Sequence, residues 1–111
     1  MINFTKPVAF KVSFMEHAYN DIKDEIFPKD EARAIVNEFL LGHLKDGFCA
    51  GGPTLVMFPI MPVWIVPILF SYPQKVLGTV GDIAIDALTG DILGWTPFSE
   101  VNKNAEQLQT D

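Results

Sequence analysis

The sequence is poor in the residues that usually announce chemistry: it has one cysteine, two histidines and few basic side chains. Cys49 alone cannot close an intrachain disulfide, so nothing implies an oxidising compartment, and the cytoplasm is the expected setting. Eight lysines and arginines face fourteen aspartates and glutamates, a net charge of −6, and the sequence pI is near 4.7. Nucleic acid and anionic membranes both require a basic footprint, so neither is expected as a partner. Met1 to Ser13 has no basic region, continuous apolar stretch or small-residue cleavage site, and the expectation is a chain without a signal peptide. Internal repeats, linkers and low-complexity segments are also missing.

Charge is absent altogether from Gly47 to Gln74, which contains the unbroken apolar run Leu55 to Phe70. A run of that length raises the question of a transmembrane helix. Pro53, Pro59, Pro62, Pro67 and Pro73 answer it, because between Pro53 and Pro73 they leave no proline-free window longer than five residues. Each proline inside a helix costs about 3 kcal/mol, and lipid demands that every backbone group be satisfied within the segment. Membrane attachment through 47–74 is therefore set aside in favour of two proline-marked strands, Thr54 to Ile60 and Val63 to Tyr72.

The 111 residues suffice for one domain, 1–111, with one modest core. An apolar fraction of 49% with 20% charged residues is that of a folded protein. From Ile2 to Phe14 the apolar residues alternate with polar ones, which predicts a half-buried strand over about 7 to 13. Ser13 and Glu16 match a capping box, and Met15, Ala18, Tyr19, Ile22 and Ile26 continue at helical spacing until Pro28. The best-defined element is the helix expected over 29–46. Ala32, Ile35, Val36, Phe39, Leu40 and Leu44 form one apolar stripe, while Arg33, Asn37, Glu38 and Lys45 point elsewhere. Asp30 and Glu31 complement the helix dipole in its first turn, and Gly47 is placed as a left-handed C-terminal cap.

In Val63–Tyr72 both alternating faces are apolar: Trp64, Val66, Ile68, Phe70 and Tyr72 on one, Val63, Ile65, Pro67 and Leu69, with Ser71 at the end, on the other. Such a strand needs two covers. The helix at 29–46 supplies one, and the second must be the N-terminal segment, the last helix or another subunit. Pro67 favours a bulge or an edge register. Gly78 to Trp95 reads as a hairpin turning at Leu88, Thr89 and Gly90, with Asp86 accepting from turn amides. Thr96 should then cap a final helix beginning at Pro97.

Lys29-Asp30-Glu31-Ala32-Arg33-Ala34-Ile35 at a helix start, followed by strands and closing with Ile85-Asp86-Ala87-Leu88-Thr89-Gly90-Asp91-Ile92-Leu93, resembles the PepSY family over roughly 28–95. The resemblance implies a helix preceding antiparallel strands that end in a hairpin and, from the setting of such domains in peptidase propeptides and in exported or membrane-attached proteins, a role in inhibiting or regulating peptidases by binding. The chain differs from that setting in its N-terminal strand and helix.

Candidate chemistry is sparse. Cys49, flanked by Gly47 and Gly51 with His43 upstream, could be a nucleophile with a base, but no third orienting group is evident. His17 and His43 lack the partners of a zinc site, and His43 is placed to meet the last carbonyls of its helix. Asp82 and Asp86 share a strand face about 13 Å apart, too far to grip one ion. No catalytic residue, metal or cofactor is therefore assigned. The aromatics Trp64, Phe70, Tyr72 and Trp95 are the candidate partner contacts. The expectation is an α+β domain in which an antiparallel sheet of four or five strands packs against a central helix (29–46), with short N- and C-terminal helices. Its expected role is that of a non-catalytic interaction or regulatory module that forms a homodimer or binds a protein partner through its sheet. The alternative is a small-molecule-binding protein or enzyme with a pocket between helix and sheet near Cys49 and His43.

Overall fold

The computed structural model describes residues 25–73 and 75–110. The strand expected over 7–13 lies outside them, as does nearly all of the helix that should follow it. Helix α1 spans Lys29–Leu41. Pro28 holds its N-cap position in extended backbone, and the Pro28 carbonyl accepts from the Glu31 and Ala32 amides, both at 3.1 Å. Ala32, Val36 and Leu40 form the buried stripe.

The helix stops at Leu41, short of 46. Gly42, the weakest helix former present, follows at once in a right-handed C-cap conformation. His43 Nδ1 then takes the Phe39 carbonyl at 2.8 Å, one of the orphan acceptors of the last turn. Gly47 does adopt positive φ, +104°, but its work is to turn the chain into the first strand. Its carbonyl accepts from the Ser71 amide at 2.8 Å.

The fold is α+β. One five-stranded antiparallel sheet comprises β1 (Phe48–Ala50), β2 (Thr54–Met57), β3 (Pro62–Ser71), β4 (Val76–Asp86) and β5 (Ile92–Trp95). β1 and β2 share one side of β3, β4 lies on its other side, and β5 is beyond β4. β3 is thus central although it contains Pro67. The Pro67 carbonyl accepts from the Gly51 amide at 2.8 Å. Its missing donor falls at the interruption between β1, paired to Phe70, Leu69 and Ile68, and β2, paired from Ile65 to Pro62. A proline is tolerated there because no continuous neighbour needs its N–H. The expected irregularity lies one step on, as a register shift between Ile68 and Leu69 opposite β4.

β1 falls between the expected helix and the first expected strand, and α1 secures its outer edge. The Ala50 amide donates to Asn37 Oδ1 at 2.8 Å, and Arg33 Nε donates to the Ala50 carbonyl at 3.1 Å. These two side chains, which the helical pattern sends away from the core, satisfy edge groups that would otherwise invite another strand.

The β4–β5 hairpin forms as its residues require. Asp86 Oδ1 accepts from the Leu88 and Thr89 amides at 2.8 and 3.3 Å, and Gly90 sits at φ +82°. Asp86→Ala should lower stability by about 1 kcal/mol, the modest end for a charged acceptor because the site is half exposed, whereas Asp86→Asn should retain most of it. Urea midpoints of the two variants check this.

Helix α2 spans Phe98–Thr110, as long as α1. Its first amides, from Glu100 and Val101, bond to the Pro97 carbonyl at 2.9 and 3.0 Å. The expected cap, Thr96, is spent on the sheet instead, where its Oγ1 accepts from the Asp82 amide at 3.0 Å. The chain leaves β5 alongside β4, so the hydroxyl finds a strand amide before it can reach the helix. Asn104 Nδ2 donates to the Val80 carbonyl at 3.0 Å and ties α2 to β4.

Both helices pack on one face of the sheet. Ala32, Val36 and Leu40 from α1 and Val101 and Ala105 from α2 join Trp64, Val66, Ile68, Phe70, Ile83 and Ile85 in a single buried cluster. The last helix is therefore not the second cover of β3. None of the described residues belongs to a helix as long and apolar as a membrane span requires.

Candidate functional site

Directly opposed residues of an antiparallel sheet share a face, so the pairing registers identify the side the helices leave bare. Val56 faces Val63, Ile65 faces Ala84, and Ala84 faces Gly94. On this outer face Val63, Ile65, Ala84 and Gly94 form the floor of a trough of about 430 Å³, and Val56, Phe58, Met61 and Leu93 also line it. Phe58 is 67% exposed, and Val56, Met61 and Leu93 are exposed as well. A Cβ on Gly94 would meet nothing within 4 Å, so this glycine widens the floor. All eight lining residues are uncharged and apolar or glycine, which gives a surface that water solvates poorly.

Further along the same face Gly51 is held at the edge of β3, its amide donating to the Pro67 carbonyl at 2.8 Å. Gly51 lies so close to β3 that a Cβ there would come within 2.8 Å of Pro67 Cγ and 3.2 Å of Leu69 Cδ1. The trough thus occupies the half of the face near Val63, where β3 begins.

The four aromatic candidates do not form one surface. Trp64 and Phe70 are 7% and 6% exposed and belong to the core on the helix side. Trp64 Nε1 donates to the Phe27 carbonyl at 3.0 Å, and Phe70 packs on Phe48 at 4.9 Å between ring centroids. Tyr72, 58% exposed, lies parallel to Phe70 at 6.5 Å. It borders a more polar hollow with Lys45, Asp46 and Glu106. Trp95 is 47% exposed and meets Phe39 edge-on at 5.2 Å and Phe98 at 6.1 Å, closing the seam between α1, β5 and α2.

Cys49 and His43 are not brought together. Cys49 is opposite Leu69, one step out of phase with the Phe48–Phe70 pair of the helix side, so it shares the outer face and is half buried. His43 is on the helix side, 4.3 Å from the Phe39 ring and 5.4 Å from Phe98. Asp86 caps its turn, and Asp82 uses its backbone on Thr96. Among the described residues no three of His, Cys, Asp and Glu are grouped to hold a metal ion.

The trough residues Val56, Phe58, Met61 and Leu93 went unmarked by the sequence reading. One signal was available: Phe58, Ile60 and Met61 are large apolar residues in the turn that the Phe58 amide closes onto the Met61 carbonyl at 2.9 Å, where polar residues are usual. No family model matches the chain, and comparison with curated proteins and with solved structures finds no match.

Proposed function

We propose that this protein is a non-catalytic interaction module that binds a protein partner through the outer face of its sheet. The observation that carries the reading is the trough over Val63, Ile65 and Ala84, apolar throughout and left bare by both helices. Its shape and period suit an extended apolar segment, whose alternate side chains would enter between Val56 and Leu93. A PepSY-like assignment agrees with this role, since a helix followed by antiparallel strands and the Asp86–Asp91 hairpin is the order those domains have. Tyr72 and Trp95, exposed at other positions, are kept as secondary contacts.

The test is partner recovery with the full chain as bait, compared with a Val56→Lys, Leu93→Lys chain. Both side chains are exposed, so the variant should fold, whereas two charges in an apolar site should weaken capture by at least about tenfold. A partner recovered equally by both baits, or no partner at all, would count against the reading.

A further inference from the structure

The helix side of the sheet holds a second hollow, of about 460 Å³, at the end of β3 away from the trough. We propose that it is a binding site for an organic cation, an alkylated ammonium group seated against Phe48 and Tyr72, backed by Phe70, with the carboxylates of Asp46 and Glu106 at its rim. This goes beyond the proposed function, because the site is on the face opposite the trough and its ligand is of another class.

Three parts of the chain converge on the hollow. Phe48 of β1 and Phe70 of β3 are directly opposed in the sheet, with ring centroids 4.9 Å apart and planes inclined by 44°. Tyr72, two residues on, lies parallel to Phe70 at 6.5 Å, so the three rings are contiguous. Gly47 lets the preceding loop close onto them: a Cβ there would come within 3.1 Å of both Phe70 Cε1 and the Ser71 carbonyl oxygen, and the Ser71 amide holds the Gly47 carbonyl at 2.8 Å. Lys45 and Asp46 are thereby placed at the rim. From the other side α2 supplies Ala105 and Glu106. Ala105 is buried, and its small side chain leaves room between the helix and the rings.

The lining selects the sign and the type of ligand. Aromatic faces are negative and attract cations, and an alkylated ammonium adds methyl groups that the rings can cover. Asp46 and Glu106 set two negative charges against the single positive charge of Lys45, and the whole protein carries −6. The local and the overall field therefore both favour a cation. Lys45 is exposed, and its long flexible stem lets the ammonium stay in water while the hollow is filled. The volume suits a small head group with part of the chain that bears it. An anionic ligand would instead meet both acids.

Choline chloride, titrated into the full chain and followed by amide chemical shifts, tests the assignment, with sodium chloride at matched ionic strength as the blank. Saturable shifts should centre on Asp46, Phe48, Tyr72 and Glu106. Tyr72→Ala and Glu106→Gln change exposed side chains and so should fold, and each should weaken binding by about threefold. Lys45→Ala should strengthen it by about twofold. The neutral isostere of choline, with carbon in place of nitrogen, should bind at least about fivefold more weakly. A short peptide carrying one trimethyllysine distinguishes the source of the cation: affinity well above that of choline assigns it to a protein chain, and affinity no higher assigns it to a small molecule. Shifts confined to Val56, Leu93 or Trp95, equal binding of the neutral isostere, binding unchanged by both Tyr72→Ala and Glu106→Gln, or no saturable shift, would overturn the proposal. Because the choline titration needs no partner and the variants leave the trough intact, failure here is distinguishable from failure to recover a partner.

Discussion

Replacing Trp64 with alanine should lower the free energy of unfolding by about 3–5 kcal/mol, the range for emptying an aromatic site in a packed core. The side chain is on the helix side of the central strand, in contact with the main buried cluster. Its indole N–H holds the Phe27 carbonyl at 3.0 Å, and so fixes the point where the N-terminal part of the chain meets the sheet. Domains of this size are stable by only about 5–15 kcal/mol, so Trp64→Ala should be close to unfolding at ambient temperature. Trp64→Phe isolates part of the effect. It keeps an aromatic ring but leaves the Phe27 carbonyl without its donor, a loss of about 1–3 kcal/mol. Urea titration followed by far-UV circular dichroism measures both. A change below about 1 kcal/mol for Trp64→Ala would mean that the indole is not a core element, and would return it to the set of contact residues.

Ile83→Ala is the second large effect, expected at about 2–5 kcal/mol, with Ile83→Val nearer 0.5–1.5 kcal/mol. Ile83 is fully buried, opposite Val66 on one side and Trp95 on the other. The alanine cavity would open under the junction of the two helices, where neighbouring backbone in paired strands has little freedom to collapse. Leu41→Ala provides the control: Leu41 is exposed on the last turn of α1, and its removal should change stability by no more than about 0.5 kcal/mol. Equal costs at the two sites would contradict the placement of the core on the helix face.

These expectations separate two groups of apolar residues that look alike in sequence. Trp64 and Ile65 are neighbours in one strand and both hydrophobic. Alternation puts them on opposite faces, but only the packing of α1 and α2 says which face is the core. The same holds for Phe70 and Tyr72, in phase and both aromatic. One is roofed by the structure while the other has passed the end of β3 and is exposed.

The sequence by itself determined the elements whose causes are local. The stripe from Ala32 to Leu40 makes a helix at a period of 3.6. The prolines of 53–73 forbid one, leaving strands. Asp86 and Gly90 supply the acceptor and the positive φ that close a hairpin, and they act within five residues of each other. What only the tertiary structure decided depends on partners distant in the chain. β1 exists because Phe48, Cys49 and Ala50 meet Phe70, Leu69 and Ile68. Arg33 and Asn37 become edge guards because Ala50 is brought beside them, and Thr96 turns from its helix to Asp82 because β4 runs alongside. The bare trough belongs to this second group. Periodicity shows that β3 is apolar on both faces, but which of them α1 and α2 cover is a property of where two helices dock, and docking is the sum of many weak non-local contacts that no short stretch of sequence encodes.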